Sequence, residues 1–185
     1  MSTHFGWIGT LAIVSAAAAM PARTTPRSAR APLESPCAAD SSYQRLAFWI
    51  GDWEVLDSLG AHYATQRVHP AVDACALTAE WAGRVGDKGL GVSAYDGNTH
   101  EWKQMYVTNQ VPGPSGVFLR KSDPSYVGPG VRFIPADTPT DGNLRRSRVT
   151  TMPMGARGAM QLFEDSRDGG KTWQVLFKAV HRPLP

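Results

Sequence analysis

The segment Trp102-Lys103-Gln104-Met105-Tyr106-Val107-Thr108 has the residue types and the alternation needed to hold a small molecule. On an extended chain successive side chains point to opposite sides. One face then carries Trp102, Gln104, Tyr106 and Thr108, and the other carries Lys103, Met105 and Val107. An uncharged face of aromatics and amides offers π surface for burial and a few hydrogen bonds for orientation. Gln161 and Phe163 repeat the Gln-x-aromatic pattern, which predicts that the two faces converge. The competing reading is an outer face dressed with aromatics.

Glu80 is the carboxylate with the most chemical potential, because it interrupts the apolar run Cys75 to Trp81. Facing inward, it would need a partner, and Arg146 or Arg148 on a later strand could supply one. A buried, unpaired Glu80 would have a raised pKa and could serve as an acid or base. Facing outward, it would leave Leu77, Ala79 and Trp81 to pack inside, and alternation alone permits either assignment. The histidines make a poor metal set: His62 and His69 are seven apart, so on one regular strand they face opposite sides. His4 and His100 fall in the N-terminal segment and a turn, leaving His181 near a barrel rim. The chain has no G-x-S-x-G, H-E-x-x-H or C-x-x-C motif. Gly86-Asp87-Lys88-Gly89-Leu90-Gly91 leads into a strand, so it offers no helix N-terminus to a phosphate and reads as a hairpin turn. No metal and no cofactor are expected.

These side chains must be positioned by strands. Tyr43, Leu46, Ala47 and Ile50 have helical spacing, and Gly51 ends that helix. Ten short β-type segments follow, at 52–57, 61–70, 73–82, 89–96, 101–109, 115–122, 129–135, 144–151, 156–165 and 172–182. Turn chemistry separates them, including Asp96-Gly97-Asn98, Pro112-Gly113-Pro114 and Asp141-Gly142-Asn143. Ser166-Arg167-Asp168-Gly169-Gly170-Lys171-Thr172-Trp173 fits an Asp-box hairpin, with Asp168 capping the turn and Trp173 packing back over it. It occurs once and reads as structural. A meander of this length tends to close, because closure removes exposed edges. The predicted fold is all-β: an antiparallel up-and-down barrel of about ten strands, with a short N-terminal helix capping one end.

The chain carries 19 Lys and Arg against 16 Asp and Glu. Arg23, Arg27 and Arg30 account for the whole excess, so the part beyond them is neutral and lacks the electrostatic footprint of a nucleic-acid binder. Trp7 to Met20 is apolar and ends in Ala17-Ala18-Ala19, a small-x-small pattern for signal cleavage. The run falls short of the roughly 20 residues that span a bilayer, so no membrane span is expected after cleavage. The organisation predicted is a signal peptide over 1–22, a disordered Pro/Arg/Ala/Ser-rich spacer over 23–42, and a barrel domain over 43–185, in a periplasmic or secreted protein. In that compartment Cys37 and Cys75 are expected to form a disulfide.

Phe48-Trp49-Ile50-Gly51-Asp52-Trp53-Glu54-Val55, the Cys75–Trp81 run, Ser93-Ala94-Tyr95-Asp96, Trp102–Val107 and Asp168–Trp173 come in a characteristic order. Over residues 43–182 the chain resembles a family of uncharacterised exported bacterial proteins with a lipocalin-like, calycin-type barrel. The resemblance implies the barrel and export and carries no established activity. A more distant likeness, through Gly51-x-Trp53 alone, is to nitrobindin-type haem barrels, whose iron-binding histidine has no counterpart here.

The residues expected to serve a ligand site are Trp53, Glu80, Trp102, Gln104, Tyr106, Arg148 and Gln161. The aromatics would contact a small, largely apolar molecule, Gln104 and Gln161 would orient it, and Glu80 with Arg148 would form a buried pair or polar anchor. The alternatives are an isomerase or cyclase using Glu80 as acid/base, and a filled barrel acting through its surface. The sequence sets no oligomeric state.

Overall fold

The computed structural model describes residues 35–109, 116–137, 144–156 and 158–184. The predicted signal peptide, most of the spacer, and the Pro112-Gly113-Pro114 and Asp141-Gly142-Asn143 turns lie outside the described residues. Ten antiparallel strands form a closed barrel in which each strand pairs with its neighbours in sequence and the first pairs with the last. They are β1 (Gly51–Leu56), β2 (His62–Ala71), β3 (Ala76–Gly83), β4 (Lys88–Asp96), β5 (Glu101–Thr108), β6 (Val117–Ser122), β7 (Val131–Pro135), β8 (Arg146–Met154), β9 (Gly158–Ser166) and β10 (Gln174–Pro183). Closure by β1 and β10, with Trp53 opposite Pro183 and Val55 opposite His181, leaves no free sheet edge.

Strand positions follow the predicted segments closely. β3 starts later than expected, because Val72, Asp73 and Ala74 take positive φ and form a turn ahead of it. A short α-helix, α1 (Pro36–Ala39), and a 3-10 helix (Tyr43–Trp49) precede β1. The 3-10 geometry changes which residues of the plug are buried. At three residues per turn Tyr43, Leu46 and Trp49 line up on one side. Leu46 and Trp49 are buried, Ala47 is only partly so, and Ile50 is exposed. The 3.6-residue expectation had placed Ala47 and Ile50 on the buried face.

The end of the predicted spacer is part of the fold. Ser35 caps α1 by accepting from the Cys37 amide, and its hydroxyl donates to the Asp73 carbonyl. Cys37 and Cys75 are joined as a disulfide across 38 residues of chain, with Cα atoms 5.0 Å apart. The bridge fastens α1 to the turn before β3, at the end of the barrel that the 3-10 helix covers. No helix among the described residues is long and apolar enough to cross a membrane.

In the chain-entropy treatment, closing such a loop contributes about 4 kcal/mol. Thiol titration of denatured, unreduced protein should find no free cysteine. Reduction, or Cys37→Ala with Cys75→Ala, should lower the urea midpoint by a corresponding amount with the slope little changed. An unchanged midpoint would show that α1 docks without the bridge.

Candidate functional site

The barrel has one packed end and one hollow end, and the packed end is built around the Gly51-Asp52-Trp53 step. Gly51 has φ +151°, and the Trp53 ring lies back over it so that a Cβ there would sit 3.2 Å from the indole. Folded this way, Trp53 Nε1 donates to the Trp49 carbonyl at 2.9 Å, tying the last turn of the plug to the first strand. Trp102 does the same from across the barrel, its Nε1 donating to the Ser42 carbonyl at 3.1 Å. His181 sits edge-on to both Trp49 and Trp53, with ring centroids 6.3 and 6.1 Å away. Its Nε2 lies 2.6 Å from Gln66 Oε1. A carbonyl oxygen only accepts, so Nε2 carries the proton. Trp49 Nε1 and His181 Nδ1 are buried without a hydrogen-bond partner among the described residues.

Above this floor a cavity of about 830 Å³ extends into the barrel. It falls within the range of small-molecule sites. The space exists because β3 and β4 present small side chains to the lumen. Ala79 and Gly91 both line the cavity. Gly89 and Gly91 form a bed for Tyr106, whose hydroxyl oxygen lies only 1.9 Å from where a Gly89 Cβ would be. Burial, helped by the Asp87 charge, raises the Tyr106 pKa. The rest of the wall is aromatic: Tyr63 packs on Phe177 at 4.6 Å and on Trp81 at 6.0 Å, and Phe163 packs on Phe177 at 5.7 Å. Trp81 Nε1 donates to Asp87 Oδ2 at 2.7 Å, which fixes the indole beside the β3–β4 turn.

Polar groups in the lumen are few and joined in pairs. Gln104 Nε2 donates to Ser93 Oγ at 3.1 Å, and its Oε1 accepts from Arg120 Nη1 at 2.9 Å. Gln161 Nε2 donates to Thr151 Oγ1 at 3.0 Å. Gln104, Tyr106 and Gln161 line the cavity together, as the alternation of β5 and β9 requires.

Three expected residues lie elsewhere. Trp53 and Trp102 are buried in the packed end and hold the plug instead of lining the cavity. Glu80 is exposed on the outer face, because Leu77 and Ala79 take the inward positions of β3. The Glu80–Arg148 pair is therefore absent. Arg148 instead makes a two-pronged bond to Glu164, Nε to Oε2 at 2.7 Å and Nη2 to Oε1 at 2.8 Å, with Trp173 stacked 3.9 Å from its guanidinium carbon. Arg148 and Glu164 both border the cavity, but each is already satisfied by the other.

His62 and His69 also depart from expectation. A register shift near Leu56 breaks the alternation, and the two rings approach different carboxylates, Glu54 at 3.4 Å and Asp52 at 3.7 Å. Sequence reasoning missed the wall residues Tyr63, Trp81 and Phe177, and it missed Arg120. The signal for Arg120 was the Phe118-x-Arg120 alternation on the strand after Tyr106, yet a basic residue beside Lys121 reads as solvent-facing. The Asp-box is structural, with Asp168 accepting from the Thr172 amide at 2.9 Å and Trp173 Nε1 donating to the Gly170 carbonyl at 3.0 Å.

Burial pulls the His181 pKa down from 6.5 to about 4. The unfolded chain therefore binds a proton that the folded one refuses between those values. Stability is full above pH 6.5 and falls with the pH through that window. At pH 5 the loss from this group should be about 2 kcal/mol relative to pH 7.5. Urea midpoints at the two values should show it, and His181→Gln should lose that component. A second test concerns the bed under Tyr106. Gly89→Ala should cost about 1–3 kcal/mol by overpacking. In a Tyr106→Leu background most of that cost should vanish, whereas additive costs would show that the ring does not rest there. In comparisons with known proteins, no family model matches this chain, and no curated protein is significantly similar to it.

Proposed function

We propose that this chain is an exported binding protein whose barrel holds one small, largely apolar molecule in its lumen. The observation that carries the reading is the cavity of about 830 Å³, walled by Tyr63, Trp81, Tyr106, Phe163 and Phe177 and closed at its floor by Trp49. An aromatic wall of this kind gains by covering an apolar ligand, since burial is worth about 25 cal/mol per Å². The small lumen side chains of β3 and β4 support the same reading, because a barrel selected only for stability would fill that space. The Cys37–Cys75 disulfide supports export, since such bonds persist in oxidising compartments. The closed ten-strand barrel is compatible with the calycin-type architecture that the sequence resembles.

Catalysis by Glu80 has no comparable support. The side chain is exposed on the outer face of β3, where it lines an outer groove and not the lumen.

A neutral apolar fluorophore such as N-phenyl-1-naphthylamine should bind at one site per barrel and quench tryptophan emission. Ala79→Phe, which places a ring in the lumen, should weaken binding by about 10-fold or more. Lys103→Leu should change it less than about twofold, because Lys103 is exposed and bonds Asp96 on the outer face. Absence of binding, or equal effects of the two substitutions, would favour a barrel that acts through its surface.

A further inference from the structure

Arg120 is set into the cavity wall without an acidic partner among the described residues. It lies on β6, on the face it shares with Phe118, whose ring centroid is 5.2 Å from the guanidinium carbon. Its Nη1 donates to Gln104 Oε1 at 2.9 Å, and Gln104 is itself held by Ser93. Among the described residues, no carboxylate lies within 4.0 Å of its nitrogens. Arg132 on the adjoining β7 is matched by Asp123 at 3.9 Å, and beyond it Arg148 on β8 is matched by Glu164 at 2.7 Å and Arg145, just before β8, by Asp165 at 3.1 Å. The two carboxylates that border the cavity are placed otherwise. Glu164 is taken by Arg148, and Asp87 accepts from the Trp81 indole at the β3–β4 turn.

A cation in a low-dielectric wall is costly unless something negative faces it. Burial draws the Arg120 pKa down only to about 10, so the group stays charged at neutral pH. The guanidinium is a planar fork of five N–H donors, and Gln104 occupies one of them, which leaves a geometry suited to two parallel bonds to a carboxylate.

We propose that the lumen takes a largely apolar molecule bearing one carboxylate, and that this carboxylate pairs with Arg120 while the rest of the molecule lies against the aromatic wall. The inference rests on the lumen-binding reading above and names the ligand class for that same cavity. Gln104 and Ser93 are positioning residues in this arrangement. They hold one edge of the guanidinium and leave the others to the ligand. Tyr106, bedded on Gly89 and Gly91, is the nearest aromatic on the adjoining strand, set diagonally from Arg120 across the β5–β6 pairing.

The test compares 11-(dansylamino)undecanoic acid with its methyl ester, two probes that differ at the acidic end. At pH 7.5 and low salt the wild-type protein should bind the acid about 10- to 100-fold more tightly than the ester, the range of a hydrogen-bonded charge pair. Arg120→Met should abolish that preference, bringing acid affinity down to about that of the ester. Arg120→Lys, which keeps the charge and loses the fork, should retain part of it. Gln104→Leu should narrow the acid–ester gap by lowering acid affinity more than ester affinity, a split that a merely structural role would not produce. Equal binding of acid and ester by the wild type, or a preference that survives Arg120→Met, would overturn the carboxylate assignment and leave lumen binding intact. If neither probe binds, and N-phenyl-1-naphthylamine does not either, the lumen reading falls and this inference with it. The wild-type comparison needs no substitution, so it decides the matter even if Arg120→Met does not fold.

Discussion

The tie between Trp53 Nε1 and the Trp49 carbonyl decides much of this molecule's form. It requires the indole to fold back over its own strand, where a Cβ at Gly51 would crowd it at 3.2 Å. With the tie made, the 3-10 helix turns into β1 at a fixed angle and lays Leu46 and Trp49 across one end of the barrel. Each large apolar side chain buried this way contributes about 1.5–3 kcal/mol. The disulfide and the Trp102–Ser42 bond fasten the same lid from other directions. A plug of so few residues would not hold by helix propensity, since a short helix in water is unstable on its own. Its order comes from these tertiary ties.

Packing at the floor has a consequence at the other end. Trp49, Trp53, Val55, Trp102 and Phe133 fill the closed half. Further along, β3 and β4 offer alanine, glycine and serine, and the lumen stays open. Tyr106 occupies part of that room because Gly89 and Gly91 make a place for it. The polar groups there are joined to one another, Gln104 to Ser93 and Arg120, and Gln161 to Thr151. A cavity edged by paired amides and one cation gives an apolar ligand somewhere to lie and a defined direction to point.

Most other charges are settled on the outer surface. Arg148 and Glu164 are gripped under Trp173, so the Asp-box hairpin covers an ion pair between β8 and β9. Arg182 and His62 both reach Glu54, and Lys103 reaches Asp96. Pairs this exposed add little to stability, because water and salt screen them. Arg148 and Glu164 also border the cavity but are paired with each other, which leaves Arg120 as the lining cation with no carboxylate within 4.0 Å among the described residues.

The order of the strands and the closed antiparallel barrel were legible in the sequence, because β-branched and aromatic runs alternate with Gly, Asn, Asp and Pro turns at regular spacing. The shared face of Gln104 and Tyr106 was legible too, since a strand's period of two needs no tertiary information. Which face of each strand looks inward was not. A pattern with period two is symmetric under a shift of one residue, so Glu80 and Ala79, or Arg148 and Val149, were equally admissible as lumen residues. Closure of the barrel broke that symmetry: Ala79 and Val149 went in, Glu80 went to solvent, and Arg148 went to Glu164. The buried face of the plug was beyond reach for a related reason, because a change from 3.6 to 3.0 residues per turn is set by what the turn packs against. Arg120 was hidden by the same strand symmetry, since the pairing of β6 with β5 is what brings its guanidinium to Gln104 inside the barrel.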